Sequence, residues 1–219
     1  FSRFRLLPPI IDQQGKEIKY IHPKETAPIP YILPEVWEVK NKANKPLWLT
    51  EGEKKALSLI KLGKHAIGLA GVWCFRAGKD SEQEGSNYLY QELLKFSWQG
   101  RNVFLAFDAD IWTNPQVRYS LSELAMKLAA KGAIVKIVSW SPLLGKGIDD
   151  FLANAFEPDH VIGNLELSAT PLRNFLVPDH AKEAIRAFAM ARAEMSDLQR
   201  EGYLKMLSNT LKVGMKTLK

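Results

Sequence analysis

The 219-residue chain has one cysteine, Cys74, and four scattered histidines, His22, His65, His160 and His180. An internal disulfide is excluded, and so is a zinc site built at the usual Cys and His spacings. Any metal must therefore be held by oxygen. No run approaches the ~18 uninterrupted apolar residues of a membrane span, and the start, FSRFRLLPPI, lacks the apolar core and cleavage site of a signal peptide. The expectation is a cytoplasmic protein without a membrane partner. The GxxxxGK[ST] spacing is missing throughout, which leaves an ATP-driven motor unsupported. No heptad run is long enough for a coiled coil. The remainder is ordinary for a globular chain, 46% hydrophobic, 25% charged and 10% aromatic, which rules out disorder and collagen-like repeats. Phe1 and a helical-looking tail ending at Lys219 fit a piece cut from a longer chain.

The net charge of +6 is unevenly spread. Residues 1–46 carry 8 basic and 5 acidic side chains, residues 171–219 carry 9 and 5, and residues 47–170 carry 13 and 14. Basic flanks beside a neutral middle with clustered carboxylates point to a polyanionic partner, with solubility as the plainer explanation.

Residues 1–46 are rich in proline (Pro8, Pro9, Pro23, Pro28, Pro30, Pro34) with a short β-type run, Glu17 to Ile21. They read as an extended arm packed on the next domain rather than as helix. From residue 47 to 156 short apolar runs alternate with helix-period segments: strands at 47–50, 66–70, 102–107 and 133–139, helices at 53–62, 87–96, 114–128 and 148–155. Asn114-Pro115 places a capping side chain before a proline at the first helical position. This order implies parallel βαβ units in an α/β fold, a sheet flanked by helices. Residues 157–219 read as a linker followed by two amphipathic helices, 179–194 and 197–215, forming a helical hairpin. The hairpin either packs on the core or a neighbour, or is a basic module touching nucleic acid.

Three acidic sites follow predicted strands: Glu51, the pair Asp108 and Asp110, and the pair Asp149 and Asp150. Ligands of open parallel sheets bind at the carboxyl ends of the strands, where sequence-distant carboxylates can meet. Residues i and i+2 of an extended segment point the same way, so Asp108 and Asp110 can face one ion. Oxygen donors favour Mg²⁺ or Mn²⁺. Glu51-Gly52 sits between strand and helix, where Glu51 is a candidate metal ligand or general acid/base and Glu53 offsets the helix dipole. Lys54, Lys55, Arg76, Lys79, Arg118 and Lys146 are candidate phosphate or nucleic-acid contacts, each otherwise a solvated charge. Trp73 and Phe75 either stack on a base or cover the core.

Glu-Gly after the first strand, Gly68 and Gly71 around the second, Asp-x-Asp after the third and Gly-x-Asp-Asp after the fourth resemble the Toprim domain of primases, topoisomerases and some nucleases. The closer likeness is to the Toprim-like domain of primase/helicase proteins of phages, plasmids and other mobile elements. It is carried by Phe107-Asp108-Ala109-Asp110, by Asn114-Pro115 and by Gly145-Lys146-Gly147-Ile148-Asp149-Asp150. Arg3-Phe4-Arg5-Leu6 and the run Gly15 to Tyr20 are similar to the segment preceding that domain. The resemblance covers roughly residues 1–156, with its specific motifs in 47–152, and the tail lies outside it. It implies that Glu51 is a metal ligand or general acid/base, that Asp108 and Asp110 bind metal, and that Asp149 and Asp150 form an acidic pair, with helix capping as an alternative role. The chain departs from replicative primases after Asp110, where those have an Ala-Gly pair and this sequence has Ile111-Trp112-Thr113.

The expectation is Mg²⁺- or Mn²⁺-dependent nucleotidyl or phosphodiester transfer on DNA by a mobile-element primase or replication protein. The partners would be a single-stranded template, nucleoside triphosphates and a helicase domain in the same or another chain. The alternatives are a metal-dependent nuclease of Toprim type and a non-catalytic nucleic-acid-binding module.

Overall fold

The structure, a computed structural model, describes residues 4–15, 17–21, 23, 29–76, 88–176, 180–212 and 214. The arm begins as an antiparallel hairpin of β1 (Phe4–Ile11) and β2 (Glu17–Ile21). Its turn forms where Asp12 accepts from the Gln14 amide at 2.8 Å and Gly15 takes φ +78°. A one-turn helix, α1 (Pro34–Trp37), follows. It departs from the helix-free reading of the arm because Pro34 suits a first helical position.

The main sheet runs β4-β3-β5-β6-β7. β3 (Leu47–Glu51) is an interior strand parallel to both β4 (Ala66–Leu69) and β5 (Asn102–Ala106), and β5 is parallel to β6 (Ile134–Ile137). Leu47, Trp48, Leu49 and Thr50 are all buried, as expected for a strand covered on both faces. The period of two divides them. Leu47 and Leu49 face one core cluster, and Trp48 faces the other, stacked on Phe104 at 5.0 Å. The helix α2 (Glu53–Lys61) covers the Trp48 side together with α5 (Ile148–Ala153) and α6 (Pro158–Ser168). The long α4 (Pro115–Ala130) covers the other. Asn114 caps α4, its Oδ1 accepting from the Gln116 amide at 3.1 Å.

The structure revises two further sequence expectations. The helix expected at 87–96 is a single turn, α3 (Gln91–Leu94), because Leu93, Phe96 and Trp98 turn inward as core plugs; Asn87 lies outside the described residues. The stretch read as a linker holds α6, whose Pro158 is a first-turn proline, then β7 (Thr170–Pro171) and α7 (Leu172–Phe175). β7 adds to the sheet antiparallel to β6, an edge position where proline is tolerated. The tail forms α8 (Ala181–Ala191) and α9 (Asp197–Leu211), joined where Phe188 stacks on Tyr203 at 6.4 Å. Both helices insert into the α4 side of the core through Ala184, Phe188, Leu207 and Leu211. Among the described residues no helix is long and apolar enough to cross a membrane.

Candidate active site

The carboxyl ends of β3 and β5 and the loop after β6 converge beside the start of α2. Glu51 ends β3, and Gly52 turns the chain into α2 with φ +96°. A Cβ on Gly68 of the neighbouring strand would stand 2.8 Å from the Gly52 carbonyl oxygen, so that close approach needs glycine. Asp108 lies two residues beyond β5 and is 7% exposed, and Asp110 sits in the tight turn Ala109–Trp112. The loop after β6 is seated when the Ala109 amide donates to the Lys146 carbonyl at 2.9 Å and the Trp140 indole donates to Gly145 at 2.9 Å.

Two ammonium groups meet Asp108. Lys55, from the first turn of α2, donates to Oδ1, and Lys146 places its Nζ 3.6 Å from Oδ2. The Lys55 chain passes directly over Gly147, where a Cβ would collide with it and with the Asp149 carboxylate. That accounts for the second glycine of Gly145-Lys146-Gly147. Burial pushes the Lys55 ammonium down, but the hydrogen bond to Asp108 and the charges of Asp108, Glu51 and Asp149 outweigh it, and its pKa is raised. Glu51 is raised as well, by burial first and then by repulsion from Asp108 and Asp110, against the opposing pull of Lys55 and Lys146. A carboxyl that resists ionisation is a candidate for proton transfer.

The oxygen atoms fit a hard divalent ion as a partial site. Oδ1 of Asp110 and Oδ1 of Asp149 are buried with no hydrogen-bond partner among the described residues, while Asp110 Oδ2 accepts from Asn114 at 3.3 Å. Among the described residues no three His, Cys, Asp or Glu side chains stand together as a finished metal cage. Mg²⁺ needs only one or two carboxylates, with water and phosphate completing its octahedron. Asp150 has the other role the sequence allowed, since its Oδ2 accepts the Gly147 amide at 3.3 Å and caps α5.

The candidate cations separate. Lys55 and Lys146 stand at the carboxylates, and Lys54 is exposed on the first turn of α2. Arg76 and Arg118 are engaged away from the carboxylates. Arg76 forks onto the buried Glu123 at 2.5 and 3.0 Å and lies 4.2 Å over Trp73. Arg118, 5% exposed, donates to the Trp112 carbonyl at 2.8 Å and pairs with Glu183 at 3.4 Å. Lys79 lies outside the described residues. Phe75 is fully buried and Trp73 packs edge-on against Tyr119 at 5.0 Å, so both cover the core.

Sequence reasoning passed over Tyr20 and Arg5. Tyr20 lines a cavity of about 140 Å³ together with Glu51, Lys55 and Asp149. The Asp12–Gly15 turn fixes Arg5 opposite Tyr20 in the hairpin, yet no sequence signal says where the hairpin folds back.

The fold is that of Toprim-like primase catalytic domains. A primase of Aquifex aeolicus (zinc binding and RNA polymerase domains) superposes with TM-score 0.56 at 19% identity, covering 99% of this chain and 49% of that one. The present chain thus spans about half the length of that protein. A DNA primase domain from Pseudomonas aeruginosa gives TM-score 0.59 at 17% identity, with 96% and 69% covered. The DnaG primase catalytic domain bound to ssDNA gives 0.52 at 15%, with 92% and 68% covered. Among curated proteins, none matches the chain by sequence. The family described as a domain of unknown function, DUF3854, matches residues 36–158, more than half of the sequence, and the chain belongs to that family.

Proposed function

We propose that the chain carries the catalytic centre of a primase-like nucleotidyl transfer on DNA, dependent on Mg²⁺ or Mn²⁺ and drawing on nucleoside triphosphates. The supporting observation is the convergence of Glu51, Asp108, Asp110 and Asp149 with Lys55 and Lys146 at the strand ends, two of these carboxylates offering buried unpartnered oxygens. Asp108 and Asp110 would hold the ion, with Glu51 sharing it or handling a proton. The bound ion would supply Lewis-acid neutralisation of charge on phosphate oxygens. Lys55 and Lys146 would leave Asp108 for an entering phosphate, a role that long flexible ammonium side chains serve well. The mobile-element assignment and a helicase partner rest on the Phe107–Asp110, Asn114-Pro115 and Gly145–Asp150 motifs.

The test is primer synthesis on single-stranded DNA with Mg²⁺ or Mn²⁺, beside Asp108→Asn. The variant is expected to lose at least about a hundredfold in rate, with circular dichroism unchanged. An undiminished rate would end the assignment. Shortening of DNA without added nucleotides would replace synthesis by cleavage at the same site. Salt-sensitive DNA binding unaffected by Asp108→Asn, with no turnover in either protein, would leave a binding module.

A further inference from the structure

We propose that the cleft between the N-terminal hairpin and α2 is a pocket for one nucleoside triphosphate, its base held against Tyr20 and Tyr31 and its phosphates led past Lys54 to the carboxylates. The inference rests on the nucleotidyl-transfer reading above and names where the incoming nucleotide sits.

The cleft encloses about 460 Å³, within the roughly 300–1,000 Å³ of small-molecule sites. Ile29 and Ile32 give it an apolar wall, Tyr20 and Tyr31 supply aromatic rings, and Arg5 and Lys54 supply positive charge. Tyr31 is fixed in place because its backbone exchanges two hydrogen bonds with Gly68 on the edge strand β4, at 2.7 and 3.0 Å. Arg5 and Tyr20 are direct cross-strand partners, so their side chains leave the same face of the hairpin. The cleft adjoins the smaller cavity at Glu51, Lys55 and Asp149, since Tyr20, Glu53 and Lys54 line both. A ligand with an aromatic end and an anionic end therefore finds its two complements in order. The base has a π-face for the tyrosines, and the phosphates have Lys54, then Lys55 and Lys146. A nucleic-acid strand fits less well. Strand-binding grooves repeat aromatic platforms and cations over about 4–16 nucleotides, whereas this cleft offers the complement of a single one.

The experiment titrates the full chain calorimetrically with ATP and dATP in the presence of Mg²⁺, and separately with adenosine and with a short oligothymidylate. It compares wild type with Tyr20→Ala, Tyr20→Phe and Lys54→Glu. Tyr20→Ala is expected to weaken nucleotide binding about tenfold and Tyr20→Phe to stay within about twofold, as loss and retention of a stacking ring predict. Lys54→Glu should weaken triphosphate binding and leave adenosine binding alone. Two results overturn the pocket: a wild-type chain that takes up neither nucleotide, or a Tyr20→Ala variant that binds them as wild type does. Loss of oligothymidylate binding in Tyr20→Ala with nucleotide binding intact reassigns the cleft to the template strand. Primer synthesis by Asp108→Asn reports separately on the catalytic reading, which fails if that variant stays active even where Tyr20→Ala shows the pocket to be real.

Discussion

Glu51 is a carboxyl placed where its own charge is unwelcome, and the cost has a pH signature. Its unfolded pKa is near 4.5 and its folded pKa is higher, so the folded chain keeps a proton that the unfolded chain releases. Stability contributed by the protonated form is full below pH 4.5 and lost as pH rises through the folded pKa. Glu51→Gln keeps the shape and removes the charge. In EDTA near neutral pH it is expected to melt at a higher temperature than wild type and at the same temperature below pH 4.5, while primer synthesis falls. Calorimetric scans at the two pH values check this, and a lower neutral-pH Tm would mean that burial does not govern Glu51. Glu51 and Asp108 were legible because they follow buried strands. The assignments of Arg76 and Arg118 were not, because a sequence shows charges without their partners. Glu123 and Lys127 resemble an exposed i,i+4 pair, yet both are fully buried.

At the scale of elements, those buried charges explain how the tail is fastened. Glu194, in the turn between α8 and α9, accepts from Lys127 Nζ at 2.9 Å and from the Leu89 amide at 3.0 Å, and its side chain is 2% exposed. One carboxylate thus joins α4, the segment before α3 and the tail hairpin. Glu194→Ala removes the nearest carboxylate from a fully buried ammonium, since Glu123 is 3.9 Å from Lys127. Removing one partner of a buried pair costs about 3–5 kcal/mol, to be read as a drop in the urea midpoint at constant slope. A loss under about 1 kcal/mol would mark the pair as a surface-like contact. The helical hairpin was legible from its apolar period. Its partner was hidden, because α4 is covered on nearly every side and so shows little amphipathic contrast. β7 was beyond sequence reading, since two residues give no period.

For the molecule as a whole, the tail helices belong to the same apolar cluster as Leu47, Leu49, Val103 and Leu105. A chain ending at residue 176 would expose the face of α4 that packs against α8. It is expected to keep helical far-ultraviolet dichroism, lose near-ultraviolet signal and bind ANS, the marks of a collapsed but unpacked state. A truncated chain with native near-ultraviolet dichroism would show the α/β unit to be self-sufficient. The hairpin arm is the opposite case. It contributes the exposed residues Phe4, Ile10 and Ile11, so it shapes the cleft without carrying the core. The Glu194 clamp also gives the polypeptide a temporal order. During synthesis α4 emerges before the carboxylate that lies 2.9 Å from Lys127 Nζ, which follows sixty-seven positions later. The Lys127–Glu194 pair can therefore form only once α8 and the turn behind it have left the ribosome. Closure of the α4 face over the sheet is expected only in chains translated past that turn.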